Sequence, residues 1–176
     1  TIFNDSMANN DTAALYALSV GAYGNQQYQF AQTAGQPGSA ISAGAAWTQQ
    51  TAAAGWSARH GMAFCVFNNR MWFMGGSDGT VRNDVYSSTD GITWTQATAA
   101  AGWSARAFMT VVSYQNRMWL MGGLEAAGSG TNDVWNSYDG ITWTQVDAAA
   151  DWAIRRAHQC VVFNNRMWVM GGRGTI

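Results

Sequence analysis

Three arginines recur at fixed intervals. Arg59, Arg106 and Arg155 each stand three residues after a tryptophan, at Trp56, Trp103 and Trp152. A guanidinium is a planar fork of donors that matches carboxylates, phosphates and sulfates through paired hydrogen bonds. It also stacks on aromatic rings. Two roles are therefore open for this set: contact with an anionic ligand, or a structural role on an aromatic ring and loop carbonyls.

Other residues fit for chemistry are sparse. His60 and His158 are the only histidines, Cys65 and Cys160 the only cysteines, and Glu125 the only glutamate. Nothing has the Cys/His spacing of a zinc site. Two cysteines are too few for a disulfide framework, and they read as small buried hydrophobes. Ser57 and Ser104 recur with the framework, whereas catalytic residues usually break a repeat. Those that do break it include His60, Arg156, His158 and Glu125. A paired-carboxylate glycosidase needs two placed acids, but the aspartates here mostly recur in turns. The expectation is a chain without catalysis of its own and without a metal or cofactor.

Composition narrows the partners. Charged residues make up 11% of the 176, against roughly 25% in ordinary globular domains. All nine basic residues are arginine, and the formal net charge is −1. Nucleic-acid binding needs a clustered basic face, which is missing. No run approaches the ~20 apolar residues of a membrane span. Ala13–Val20 is apolar but short, and it lacks the basic flank of a signal peptide. The chain starts at Thr1, consistent with a mature or trimmed product.

The elements that would position these residues come from an internal repeat. "NNRMWFMGG" (Asn68–Gly76) returns as "QNRMWLMGG" (Gln115–Gly123) and "NNRMWVMGG" (Asn164–Gly172). Trp47, Trp94 and Trp143 all sit in Trp-Thr-Gln. The period is 47 residues from Arg59 to Arg106 and 49 from Arg106 to Arg155. The extra two fall in the loop after the Gly pair, Ser77–Arg82 in one copy and Leu124–Thr131 in the next, so one loop varies on a fixed frame. Each unit predicts four strands: A at Met62–Phe67, B at Arg70–Met74, C at about Asp84–Ser88 and D at Ile92–Gln96. Asn68-Asn69 and Asp90-Gly91 supply hairpin turns that tolerate positive φ. Strand B is apolar on both faces, as in stacked sheets. Arg70, Arg117 and Arg166 open strand B and are expected to be solvated or to pair with Asp90 and Asp139. Four strands at this period predict an all-β β-propeller of four-stranded antiparallel blades, in preference to a sandwich. The divisions are 1–11, an N-terminal segment; 12–50, a degenerate first blade, with a short helix at Thr12–Val20 as the alternative; 51–98 and 99–147, two full blades; and 148–176, a partial blade with strands A and B only. That is about three and a half blades, so further blades are expected from a longer chain or another subunit.

An apolar strand B ending in Gly-Gly, an aromatic in strand C (Tyr86, Trp135) and a Trp eight residues on (Trp94, Trp143) resemble the kelch repeat from Trp47 to Gly172. "SSTDGITW" (Ser87–Trp94) and "NSYDGITW" (Asn136–Trp143) are similar to the Asp-box hairpin of sialidase-type propellers, one residue shorter than usual, and to S-x-D-G-x-T-W repeats of bacterial and phage surface proteins. The kelch resemblance implies that strand A lines a central channel and that the D–A and B–C loops share one face. That face would carry Ser57, Arg59, His60, Arg82, Ser104, Arg106, Arg155 and Arg156 as candidate ligand contacts. It also implies a binding module for an anionic protein or glycan ligand. The low charge, the absence of Lys and the Asp-Gly-x-Thr-Trp repeats resemble secreted bacterial or virion-surface proteins, so an extracellular or virion-surface origin is expected, with an intracellular adaptor as the alternative. A sialidase-like glycosidase or a structural spacer are the competing functions. Copper oxidases built on kelch propellers use Tyr, His and Cys ligands, a set not assembled here.

Overall fold

The computed structural model describes residues 48–174 and three short strands before them, β1 (Phe3–Asn4), β2 (Leu15–Tyr16) and β3 (Gln27–Gln29). Residues 1–11, apart from β1, lie outside the described residues, as do most of 12–50, including Trp47. Of the expected degenerate blade, β3 pairs directly with β4 (Thr48–Thr51). Of the alternative helix at 12–20, only Leu15–Tyr16 is described, and it is strand, paired with β1.

The described residues are all-β and antiparallel. The first full unit runs β5 (Ala63–Phe67), β6 (Arg70–Met74), β7 (Val85–Ser88) and β8 (Thr95–Thr98) as one four-stranded meander. The second repeats it with β10 (Thr110–Tyr114), β11 (Arg117–Glu125), β12 (Gly130–Ser137) and β13 (Thr144–Asp147). A two-residue strand, β9 (Arg106–Ala107), joins the far end of β11. The third contributes β14 (Gln159–Phe163) and β15 (Arg166–Met170). Among the described residues the sheets do not close into a ring.

Local chemistry explains most of this. Asn68-Asn69, Gln115-Asn116 and Asn164-Asn165 all carry positive φ, the conformation of the tightest hairpins, which Asn tolerates well. The indole N–H of Trp72, Trp119 and Trp168 donates to the carbonyl of Phe67, Tyr114 and Phe163, pinning the A–B hairpin of each unit. Strand D starts at Thr95 rather than at Ile92 as expected. The Asp90 carboxylate takes the amides of Ile92 and Thr93, each at 2.8 Å, and holds them in the turn. The loop expected after the Gly pair is partly strand in the second unit, where β11 and β12 continue through a bulge at Met121/Gly123. Arg70 and Arg166 are exposed, as expected. Arg117, however, pairs with no aspartate among the described residues. It donates to the side-chain oxygen of Asn136 and lies over the Tyr138 ring at 4.0 Å.

Successive units meet through their first strands, with β10 lying against both β5 and β14. The main core fills the space between the first two units, with Trp72, Met74, Trp103, Met109, Met118 and Leu120 among its buried members. A second cluster stacks Trp56 on Phe73 at 4.2 Å, with Tyr86 beside it. Backbone bonds tie the units in register. The amide of Phe108 donates to Gly61 O, and the amide of Ala157 donates to Phe108 O. These are equivalent positions in three units, all with positive φ. Asn83 reaches forward to the carbonyls of Ala101 and Trp103, and Asn132 does the same to Ala150 and Trp152.

Candidate functional site

The D–A and B–C loops come together, as bridges between them show: His60 with Ser77, Thr131 with Arg155, and Arg156 with Arg173. The Gly pair makes this approach possible. A Cβ on Gly75 would lie 2.9 Å from Arg106 O, and one on Gly122 would lie 2.9 Å from Arg155 O. Both glycines have positive φ, so side chains are disfavoured there on two grounds.

Arg59 lies inside this loop cluster, with its side chain 3% exposed, and forms an ion pair with Asp84 at 2.7 Å. It also donates to Gly75 O, Ser57 O and the Ser57 hydroxyl. Its guanidinium lies over Phe73 at 5.4 Å. Arg106 repeats the arrangement. Its side chain, 1% exposed, pairs with Asp133 at 2.5 Å and donates to the carbonyls of Gly122 and Ser104. Thr131 and the Ser104 hydroxyl complete its partners. Burial alone would raise the Asp133 carboxyl pKa. The bonds from Arg106 and Trp135 outweigh that and hold it below its usual value. Both forks are turned inward, so Arg59 and Arg106 brace the frame and do not face solvent as ligand contacts. A buried charge pair is tolerated only when both partners are also hydrogen-bonded, and here both are.

The two serines follow the same rule. Ser57 donates to Asp78 at 2.5 Å, and Ser104 donates to Glu125. Asp78 and Glu125 occupy equivalent positions 47 residues apart. The third unit has Ala153 and Gly174 at the corresponding places, so serine and acid are lost together.

The remaining candidates are more open. Arg82 is exposed and clasps Asp78 through both carboxylate oxygens, at 2.9 Å and 3.1 Å. This contact, followed by the Ser57 bond, holds Asp78 well below the usual carboxylate range. His60 is exposed, its ring tilted against Phe108 at 5.5 Å. Arg156 is half-buried, and its backbone pairs with Arg173. Arg155 donates to Ala153 O and Gly171 O and lies over Trp152 at 5.8 Å. Among the described residues no carboxylate pairs with it. The structure thus brings all eight candidates into one loop cluster but separates two buried, neutralised arginines from four accessible cationic or polar side chains.

Asp84 and Asp133, which complete the ion pairs, went unrecognised in the sequence. Their signal was present: Asn-Asp-Val recurs at Asn83–Val85 and Asn132–Val134, 49 residues apart. The Asp-Gly turns behave as hairpin closures. Ser88 and Asp90 hold the amides of Asp90, Gly91, Ile92 and Thr93. Ser137 and Asp139 repeat that pattern in the next unit. The backbone bonds from Ile92 and Thr93 draw the Asp90 carboxyl down to about 2. Among the described residues no three of His, Cys, Asp and Glu converge as a metal site. No protein-family model matches the chain, and no curated protein sequence matches it.

Proposed function

We propose that the chain is a segment of a kelch-like β-propeller acting as a non-enzymatic binding module, which recognises an anionic glycan or an acidic protein segment through the joined D–A and B–C loops. The observation that carries this reading is the placement of charge. Six of the nine arginines (Arg59, Arg82, Arg106, Arg155, Arg156 and Arg173) lie in or beside these loops. Two of them are neutralised inside, so the contacts fall to His60, Arg82, Arg155 and Arg156. Propeller geometry is supported by β5, β10 and β14 lying side by side and by the register ladder through Gly61, Phe108 and Ala157. Further blades, from the same chain or another subunit, would complete the ring, and an extracellular or virion-surface setting follows from the resemblance of the Asp-Gly-x-Thr-Trp turns.

The test is a panel of sulfated and sialylated glycans and acidic peptides, probed with the wild-type chain and with Arg82→Ala/Arg156→Ala. Saturable binding that the double variant loses supports recognition. Binding that the double variant keeps, or none at all, leaves the spacer reading. Turnover of a fluorogenic sialoside by the wild-type chain replaces the proposal with a sialidase-like hydrolase.

The spacer and assembly reading has its own support in the face of β14 and β15. Phe163, Trp168 and Met170 are exposed there, in columns that the first unit buries at Phe67, Trp72 and Met74. Light scattering on the folded chain tests it: a multiple of 19.0 kDa means that copies cover this face for one another.

A further inference from the structure

Four equivalent positions line the junction between successive units. At the first junction they are Ala63, Met74, Met109 and Val111, all buried members of the apolar core. At the second they are Thr110, Met121, His158 and Cys160. Three of the four change from apolar to hydrogen-bonding groups at one partly buried spot, while the fourth stays methionine. Placing polar groups in a core costs stability unless they satisfy one another. Here they form a continuous chain. His158 Nε2 lies 3.0 Å from Thr110 Oγ1, Thr110 donates to Cys160 Sγ at 3.1 Å, and Cys160 reaches Met121 Sδ at 3.7 Å. His158 is 1% exposed, and its Nδ1 has no partner.

We infer that this junction is a binding site for a soft monovalent cation, of the copper(I) or silver(I) kind, held by Cys160 Sγ, Met121 Sδ and His158 Nε2. Thiolate, thioether and imidazole are the donors that select such ions. Two sulfurs 3.7 Å apart are spaced as neighbouring ligands of one ion, given metal–sulfur bonds of about 2.3 Å. Charge selects the monovalent state. On binding, the Cys160 S–H bond breaks, its proton leaves to solvent and the S–metal bond forms, so thiolate and cation sum to zero. A divalent ion would leave a net positive charge in a site largely shielded from water. Binding takes the ring tautomer with its proton on Nδ1, which frees Nε2 for the ion, and the Thr110 hydroxyl keeps its bond to the Cys160 sulfur.

The experiment is anaerobic titration of the full chain with copper(I) against a chromogenic chelator. Cys65→Val serves as the control for the other thiol, because valine occupies that column at Val112 and Val161. One ion per chain is expected in both wild type and Cys65→Val. Cys160→Val, which copies Val111, should lose at least the roughly 100-fold that removing an outer-shell partner alone can cost. Equal affinity in Cys160→Val and wild type overturns the inference, as does an equal loss in Cys65→Val. Should Cys160→Val fail to fold, X-ray absorption of the copper-loaded wild type decides. Two sulfur neighbours and one nitrogen sustain the site, and any other set removes it.

Discussion

The second and third units carry nearly the same strand-B sequence, "RMWLM" and "RMWVM", yet their environments differ completely. Met121 is 2% exposed and its counterpart Met170 is 47% exposed. The same contrast separates Arg106, sealed against Asp133, from Arg155, which meets only carbonyls and a ring. The difference teaches that burial here belongs to the neighbour and not to the unit. An amphipathic sheet repeated in line is stable only where the next sheet lies on it.

The largest effect should come from breaking the ion pair on one side of this comparison. Arg106→Leu leaves Asp133 buried and unpaired and should cost about 3–5 kcal/mol. Arg155→Leu should cost about 1 kcal/mol, since only carbonyl bonds and a ring contact go. Urea melts of the two variants read the contrast, and equal losses would dissolve it. Next, Met121→Ala should destabilise by about 2–5 kcal/mol, whereas Met170→Ala should move the midpoint little. A large effect at Met170 would mean that another surface covers β15 in solution.

A third prediction concerns acid. The Asp90 carboxyl is lowered to about 2 by backbone amides, and Asp133 is lowered through Arg106. A depressed carboxylate stabilises the fold above its unfolded value near 3.9. That contribution disappears as the pH falls toward 2, so stability should decline across this window. Asp90→Asn should flatten the decline in thermal melts between pH 5 and 2. The smallest effect is expected at Arg82, an exposed pair with Asp78. Arg82→Gln should leave the melting midpoint nearly unchanged, as for an exposed ion pair, and should act on ligand binding instead. A larger loss would place Arg82 with the frame.

Much of the fold was legible because repetition amplifies weak signals. Strand B of the first unit is legible to the residue, and the Asn pairs mark the hairpins, since local chemistry alone sets both. Strand D was displaced because a carboxylate capping the amides of Ile92 and Thr93 competes with the sheet ladder for those donors. The loop cluster was legible as a grouping but not as a site. Whether a guanidinium faces a ligand or a buried aspartate depends on partners 25 and 27 residues away, and the recurring Asn-Asp pair that supplies them looks like ordinary turn sequence. The soft-donor junction lay further out of reach, because Thr110, Met121 and Cys160 come from three separate strands and align only once the repeat is folded.

The ladder through Gly61, Phe108 and Ala157 has an evolutionary consequence. Backbone bonds at fixed positions, this ladder among them, tie each unit to the one before it, so a length change in one loop is absorbed there and is not passed along the array. The two-residue insertion between Glu125 and Thr131 leaves the next rung, Ala157 to Phe108, intact at 2.8 Å. Such a scaffold permits its rim to diversify unit by unit, by insertion as well as by substitution, while the frame keeps its phase.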